Sequence, residues 1–119
     1  MDPATWPDSV LRLAKAITVA EGSNPEWNNP GDLTYAMGFP TLGTVNSDGV
    51  LKFANADDGQ HVLCHQCYLM LTGKSAVYKL TDTLEVVGAK YSNGDPNWAK
   101  NVAAYLGVSE QATLEQLAI

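Results

Sequence analysis

The sequence predicts a mainly α-helical α+β domain with a central buried helix and one small β-hairpin. Three observations carry that prediction. Apolar residues recur at the helical period in several segments, which end at glycine. One stretch, "TLGTVNSDGVLKFAN", has two β-rich arms around an Asp-Gly turn. The chain has 119 residues, 45% of them hydrophobic and 17% charged. That is the size of one domain, 1–119, able to bury roughly two-thirds of its unfolded surface.

The first helix begins after Pro7, with Asp8 or Ser9 as the expected N-cap. Val10, Ala14, Ile17 and Glu21 fall on one stripe, and Arg12, Lys15 and Val19 point elsewhere. Glu21 thus closes the helix on its inner face. A carboxylate there meets the negative end of the helix dipole, and burial acts in the same direction, so both raise its pKa. A general acid working near neutral pH needs that shift. The plainer reading is an exposed charge at a helix end, which the inner phase of Glu21 disfavours.

From Gly22 to Pro40, Pro25, Pro30, Gly31, Gly38 and Pro40 break any period, so this stretch reads as loop. The hairpin follows, with arms Leu42 to Val45 and Val50 to Phe53 and the turn Asn46-Ser47-Asp48-Gly49. The second long helix is expected from about Asp58 to Thr72, ended by Gly73. Leu63, Cys64, Cys67, Tyr68, Met70 and Leu71 cover over half its circumference, the pattern of a helix surrounded by others. Asp82 and Glu85 suggest a capping box for a helix of about ten residues carrying Leu84, Val87 and Tyr91. Asp95 caps Pro96 in the next helix. Trp98, Val102, Tyr105 and Leu106 form its inner face, and Gly107 stops it. Thr113 and Gln116 cap a short last helix.

Seven basic against thirteen acidic residues give a net charge of −6, which argues against a nucleic-acid partner. No apolar run is long enough for a membrane span. The first ten residues lack the basic start and apolar core of a signal peptide. A role at a cell wall would then follow release, secretion or virion delivery from the cytoplasm. Cys64 and Cys67 form a CxxC inside a helical run without a βαβ context, so a thioredoxin-type role is disfavoured. His61, Cys64 and His65 share one helix side, as a metal site would require. The preferred alternative is small buried thiols beside two more exposed imidazoles, with no metal.

A resemblance now comes into view. "AKAITVAEGSNPEWNNPGDL" resembles the Glu-Gly and Asn-Asn-Pro-Gly stretch of phage-type and lytic-transglycosylase-like murein hydrolases of the lysozyme-like superfamily. "KFANADDGQHVLCHQC" and "KYSNGDPNWAKNVAAYLGV" are similar to later segments of that family, and the order is kept across about residues 10–108. The resemblance implies a lysozyme-like fold acting on peptidoglycan or a related N-acetylhexosamine polymer, with no cofactor; the oligomeric state is left open, with a monomer expected. It implies that Glu21 protonates the oxygen of a β-1,4 glycosidic bond. A lytic transglycosylase then lets the sugar's own hydroxymethyl oxygen attack, whereas a lysozyme uses a second carboxylate.

Asp32 and Asp48 are the candidate second carboxylates, with Glu26 and Asp57 weaker. Each has a plainer role in a turn or cap, and the family often carries Asn at the position of Asp32. The expectation is therefore one essential Glu. Asn28, Asn29, Gly31, Leu33, Tyr35 and Tyr91 are the candidate sugar-binding residues, with the Asp32–Leu33 backbone facing the cleft. The asparagines could equally form Asx turns, and Tyr91 could be a core tyrosine. Trp27 and Phe39 are further stacking candidates, while Trp98 reads as core. The rival readings are a chitinase-like glycosidase and a non-catalytic saccharide-binding or virion-structural module.

Overall fold

The computed structural model describes residues 6–92 and 94–118. Their order is α1 (Asp8–Glu21), β1 (Thr41–Thr44), β2 (Leu51–Phe53), α2 (Ala56–Thr72), α3 (Leu84–Tyr91), α4 (Pro96–Leu106) and α5 (Leu114–Leu117), with a 3-10 turn at Pro25–Trp27. The two strands pair antiparallel. The structure is thus mainly helical with a two-stranded sheet. Its radius of gyration is 13.3 Å, against about 13.5 Å for one compact domain of this length.

Helix α1 forms because Val10, Leu13, Ala14, Ala16 and Ile17 all turn inward. Arg12, Lys15 and Val19 are exposed, as their phase requires. The N-cap is Pro7, which makes no side-chain cap bond, and Asp8 lies inside the first turn. That corrects the expected Asp8 or Ser9 cap: an acidic group in the first turn still complements the dipole without capping it. At the other end Gly22 adopts φ 54 and bonds back to Thr18 O.

Helix α2 starts two residues earlier than Asp58, because Asn55 accepts the Asp58 N–H and caps it. Val62, Leu63, Cys64, Cys67 and Met70 are fully buried. Helix α1 packs against both α2 and α4, and α3 packs against α4. Helix α3 has eight residues and is capped by the Thr83 side chain, not by Asp82. Asp82 instead pairs with Lys90 Nζ at 2.8 Å and accepts the Lys79 N–H. In α4 Asp95 caps as expected, and Trp98, Ala99, Val102 and Ala103 are buried. Tyr105 is 48% exposed, a correction to its predicted inner place: Ala99 and Ala103, too small to stand out in the pattern, take the inner face. The Thr113–Gln116 capping box closes at α5 as expected.

The hairpin sits one residue earlier in β1 and begins at Leu51 in β2, while Val45 and Val50 still bond across the turn. Its register carries an irregularity between Thr41 and Thr44. Phe53, the last residue of β2, is fully buried and anchors the hairpin to the core.

Candidate active site

The loop after α1 is built around Asn29. This side chain is 1% exposed. Its Nδ2 donates to Leu33 O at 2.9 Å and to Leu51 O at 2.8 Å, and its Oδ1 accepts the Leu33 N–H at 2.9 Å. Asn28, at φ 54, donates from Nδ2 to Phe53 O at 3.0 Å. Two adjacent amides thus tie the loop to the hairpin. Neither Asn29 nor the Leu33 backbone is free for a sugar, since Leu33 O also accepts the Leu51 N–H and Asp32 N–H donates to Asn29 O. The Leu33 side chain lies in the core at 3% exposure, while Asp32 and Leu33 both border a hollow of about 150 Å³.

Gly31 packs where a Cβ would lie 2.8 Å from both the Leu63 side chain and the Tyr91 hydroxyl. Tyr91 Oη donates to Gly31 O at 2.7 Å, and its ring lies 5.1 Å from that of Trp98. Burial pushes the Tyr91 pKa well above 10. Tyr91 thus clamps the loop from α3, and its proton is committed there; Gly31 serves by its size, not by binding.

These tethers bring Asp32 against Glu21. Glu21 is half-buried and ends α1, with no basic residue in the last turn. Its pKa is raised from 4.5 to about 8. Loss of solvent is the largest cause, followed by the hydrogen-bonding contact with Asp32 and the repulsion of that carboxylate. Asp95 adds a smaller repulsion, and the Trp98 indole opposes the rise. Trp98 Nε1 is buried without a partner in full hydrogen-bond geometry, so its pull is a weak, off-line dipole. Asp32 is itself raised by burial, against hydrogen bonds with Glu21 and Ser23 that lower it.

The other candidates lie apart from this pair. Asp48 is exposed in the hairpin turn, with its N–H on Asn46 Oδ1, and is not among the groups that shift Glu21. Glu26 is exposed at the 3-10 turn and Asp57 in the first turn of α2. Tyr35 is 38% exposed and lines a hollow of about 150 Å³ together with Asp32, Thr34, Tyr78, Lys90 and Tyr91. A larger hollow of about 330 Å³ borders Gly22, Ser23, Asn28 and Gln60 but neither acid. We take the smaller as the site because it holds a member of the acid pair; size alone does no chemistry. Trp27 and Phe39 are half-buried, and Phe39 packs on His61 at 5.0 Å.

Sequence reasoning missed Ser23, Tyr78, Lys90, Asp95 and the contact of Trp98 with the acid. Only Ser23 had a linear signal, two residues after Glu21. The cysteines are free and buried; Cys64 faces inward while His61 and His65 pack around Trp6. Among the described residues no three of His, Cys, Asp or Glu gather as a metal site.

Compared with family models, curated proteins and solved structures, the chain matches none. The fold and site define a mainly helical α+β domain with an acid pair where the first helix meets its loop.

Proposed function

We propose that the chain is a lysozyme-like glycosidase cleaving β-1,4 bonds in peptidoglycan, with Glu21 as general acid. One observation carries the reading: a half-buried carboxyl whose pKa is about 8 is protonated at neutral pH and able to donate. Shifts of this kind cluster at functional sites. The order of long helix, tethered loop, hairpin and buried helix agrees with the resemblance of the "EGSNPEWNNPGDL" stretch.

In this reaction the Glu21 proton passes to the glycosidic oxygen as the C1–O bond breaks. The resulting carboxylate then accepts a proton from the attacking oxygen, which is either the sugar's own hydroxymethyl group or water. General-acid chemistry of this kind needs no cofactor. The protein would act at the cell wall, on N-acetylhexosamine polymer exposed there.

Glu21→Gln keeps the shape and removes the proton. It is expected to lower clearing of cell-wall suspensions by about 10³-fold; clearing at the wild-type rate would refute the assignment. Mass spectrometry of the released fragments separates anhydro ends from reducing ends, and so transglycosylation from hydrolysis. Release from chitin but not from peptidoglycan would favour the chitinase-like reading. A wild-type protein that binds the polymer and releases nothing would favour the binding module.

A further inference from the structure

We infer that the hollow bordered by Tyr35, Tyr78 and Lys90 is a subsite for the carboxylate of an acidic peptide carried on the sugar chain, with the Lys90 ammonium as its specificity residue. The ligand class rests on the reading above and deepens it, since it makes the substrate peptidoglycan and not chitin.

Lys90 lies in the last turn of α3, and three contacts fix its side chain. Its Nζ donates to Asp82 Oδ2 at 2.8 Å and to Val77 O at 2.9 Å. It also lies 5.9 Å from the centre of the Tyr78 ring. An ammonium has three donors, so these two bonds leave one for a ligand. Asp82 does not cancel the charge around it. That carboxylate also accepts the Lys79 N–H at 3.0 Å and faces the Lys79 charge, so one anion stands against two cations. A lysine already held in place loses little rotamer freedom when it binds.

The hollow has a volume of about 150 Å³. Pockets for whole small ligands run to about 300–1,000 Å³, so this one suits a single substituent of a larger ligand. Among the described residues Lys90 is the one cation on its wall, and Asp32, at φ 50, the one carboxylate. The Tyr91 hydroxyl is committed to Gly31 O, whereas Thr34, Tyr35 and Tyr78 carry three further hydroxyls. Burial pushes the pKa of both Tyr35 and Tyr78 up, that of Tyr78 to about 12. Both phenols therefore keep their protons at neutral pH and can donate. A carboxylate has acceptors only, and a fixed ammonium beside neutral phenols satisfies it with charge-assisted bonds. A neutral sugar hydroxyl gains nothing from the charge.

The chain carries a net charge of −6, which repels an anionic polymer at a distance. A cation fixed at the hollow offsets that repulsion locally. Peptidoglycan strands carry peptides with free carboxylates, while chitin carries N-acetyl groups and no anion. Lys90 thus discriminates between two polymers that share the same glycosidic bond.

The test uses N-acetylmuramoyl-alanyl-glutamate and the same compound with its carboxylates converted to amides. Neither has a β-1,4 bond, so binding is read without turnover, by NMR titration of the isotope-labelled protein. Wild type is expected to bind the acid about tenfold more tightly than the amide. Lys90→Met keeps the length of the side chain and removes its charge, and is expected to erase that preference. Lys90→Arg is expected to retain it. Equal binding of the two compounds by wild type, or binding of neither, overturns the proposal, and this comparison needs no variant to fold. A preference that survives in Lys90→Met overturns it as well. The two readings also fail separately. A preference for the acid without clearing of cell walls keeps the subsite and refutes the glycosidase, and clearing without the preference does the reverse.

Discussion

Asn29 shows how one side chain can decide a loop. Its three hydrogen bonds reach the loop's own Leu33 and, across the hairpin, Leu51. Asn29→Ala would leave the Leu33 N–H without a partner and take a side-chain donor from Leu33 O and Leu51 O. We expect a loss of about 3 kcal/mol, read from the midpoint of urea unfolding; a loss below about 0.5 kcal/mol would show the loop held by other means. The sequence marked Asn29 as a candidate sugar ligand or an Asx-turn residue. The second alternative is the nearer one, but its bond to Leu51, 22 residues away, has no linear signature. Glu21 was legible because helical phase is local: an apolar stripe at the period of 3.6 residues points at it. Its partner Asp32 was named, then set aside as a loop-shaping residue. It does occupy a strained turn, and that turn sets it against the acid.

At the scale of elements, α2 is shaped as much by a glycine as by its apolar face. A Cβ on Gly59 would lie 1.7 Å from Asn28 O and 3.3 Å from the Pro30 ring. The loop backbone therefore rests directly on the first turn of α2. Glycine inside a helix costs about 1 kcal/mol relative to alanine, so Gly59→Ala would stabilise α2 in isolation. The clash is with backbone and outweighs that gain. We expect Gly59→Ala to destabilise by about 3 kcal/mol and to displace the loop carrying Asp32. Gly22→Ala, where nothing lies within 4 Å and only φ 54 is strained, should cost about 1 kcal/mol. Thermal melts of the two variants side by side check the order; equal losses would show that the loop does not rest on Gly59. Element types and most stops were readable, because Gly73, Gly107 and Asp95 act through their own backbone. The cap at Thr83 was misplaced by one residue, since Asp82 and Thr83 offer equivalent local chemistry and only the Lys90 partner separates them.

For the whole molecule, the raised acid sets a pH dependence. The folded state binds the Glu21 proton more tightly than the unfolded chain, so its contribution is full below pH 4.5 and is lost as pH rises towards about 8. The loss is on the order of 2 kcal/mol once the solvent-facing part of the carboxyl is allowed for. On the acid side Asp82 works in the opposite sense. Burial pushes its carboxyl up slightly, but the Lys79 N–H and Lys90 outweigh that and hold it low, so its contribution fades as pH falls through its folded value. Stability should therefore fall from pH 5 to pH 8.5, and Glu21→Gln should flatten that fall. Melting temperatures of both proteins across this range test it; parallel curves would show that Glu21 carries no such penalty.

The sequence by itself determined the helices, the hairpin and the inward phase of Glu21, because periodicity, caps and turns act over a few residues. Only the tertiary structure decided that Asp32 meets Glu21, that Tyr91 holds Gly31 from 60 residues away, and that Trp98 stands beside the acid. Those contacts depend on how α1, α3, α4 and the loop close around one core, and nothing in the linear spacing encodes that approach.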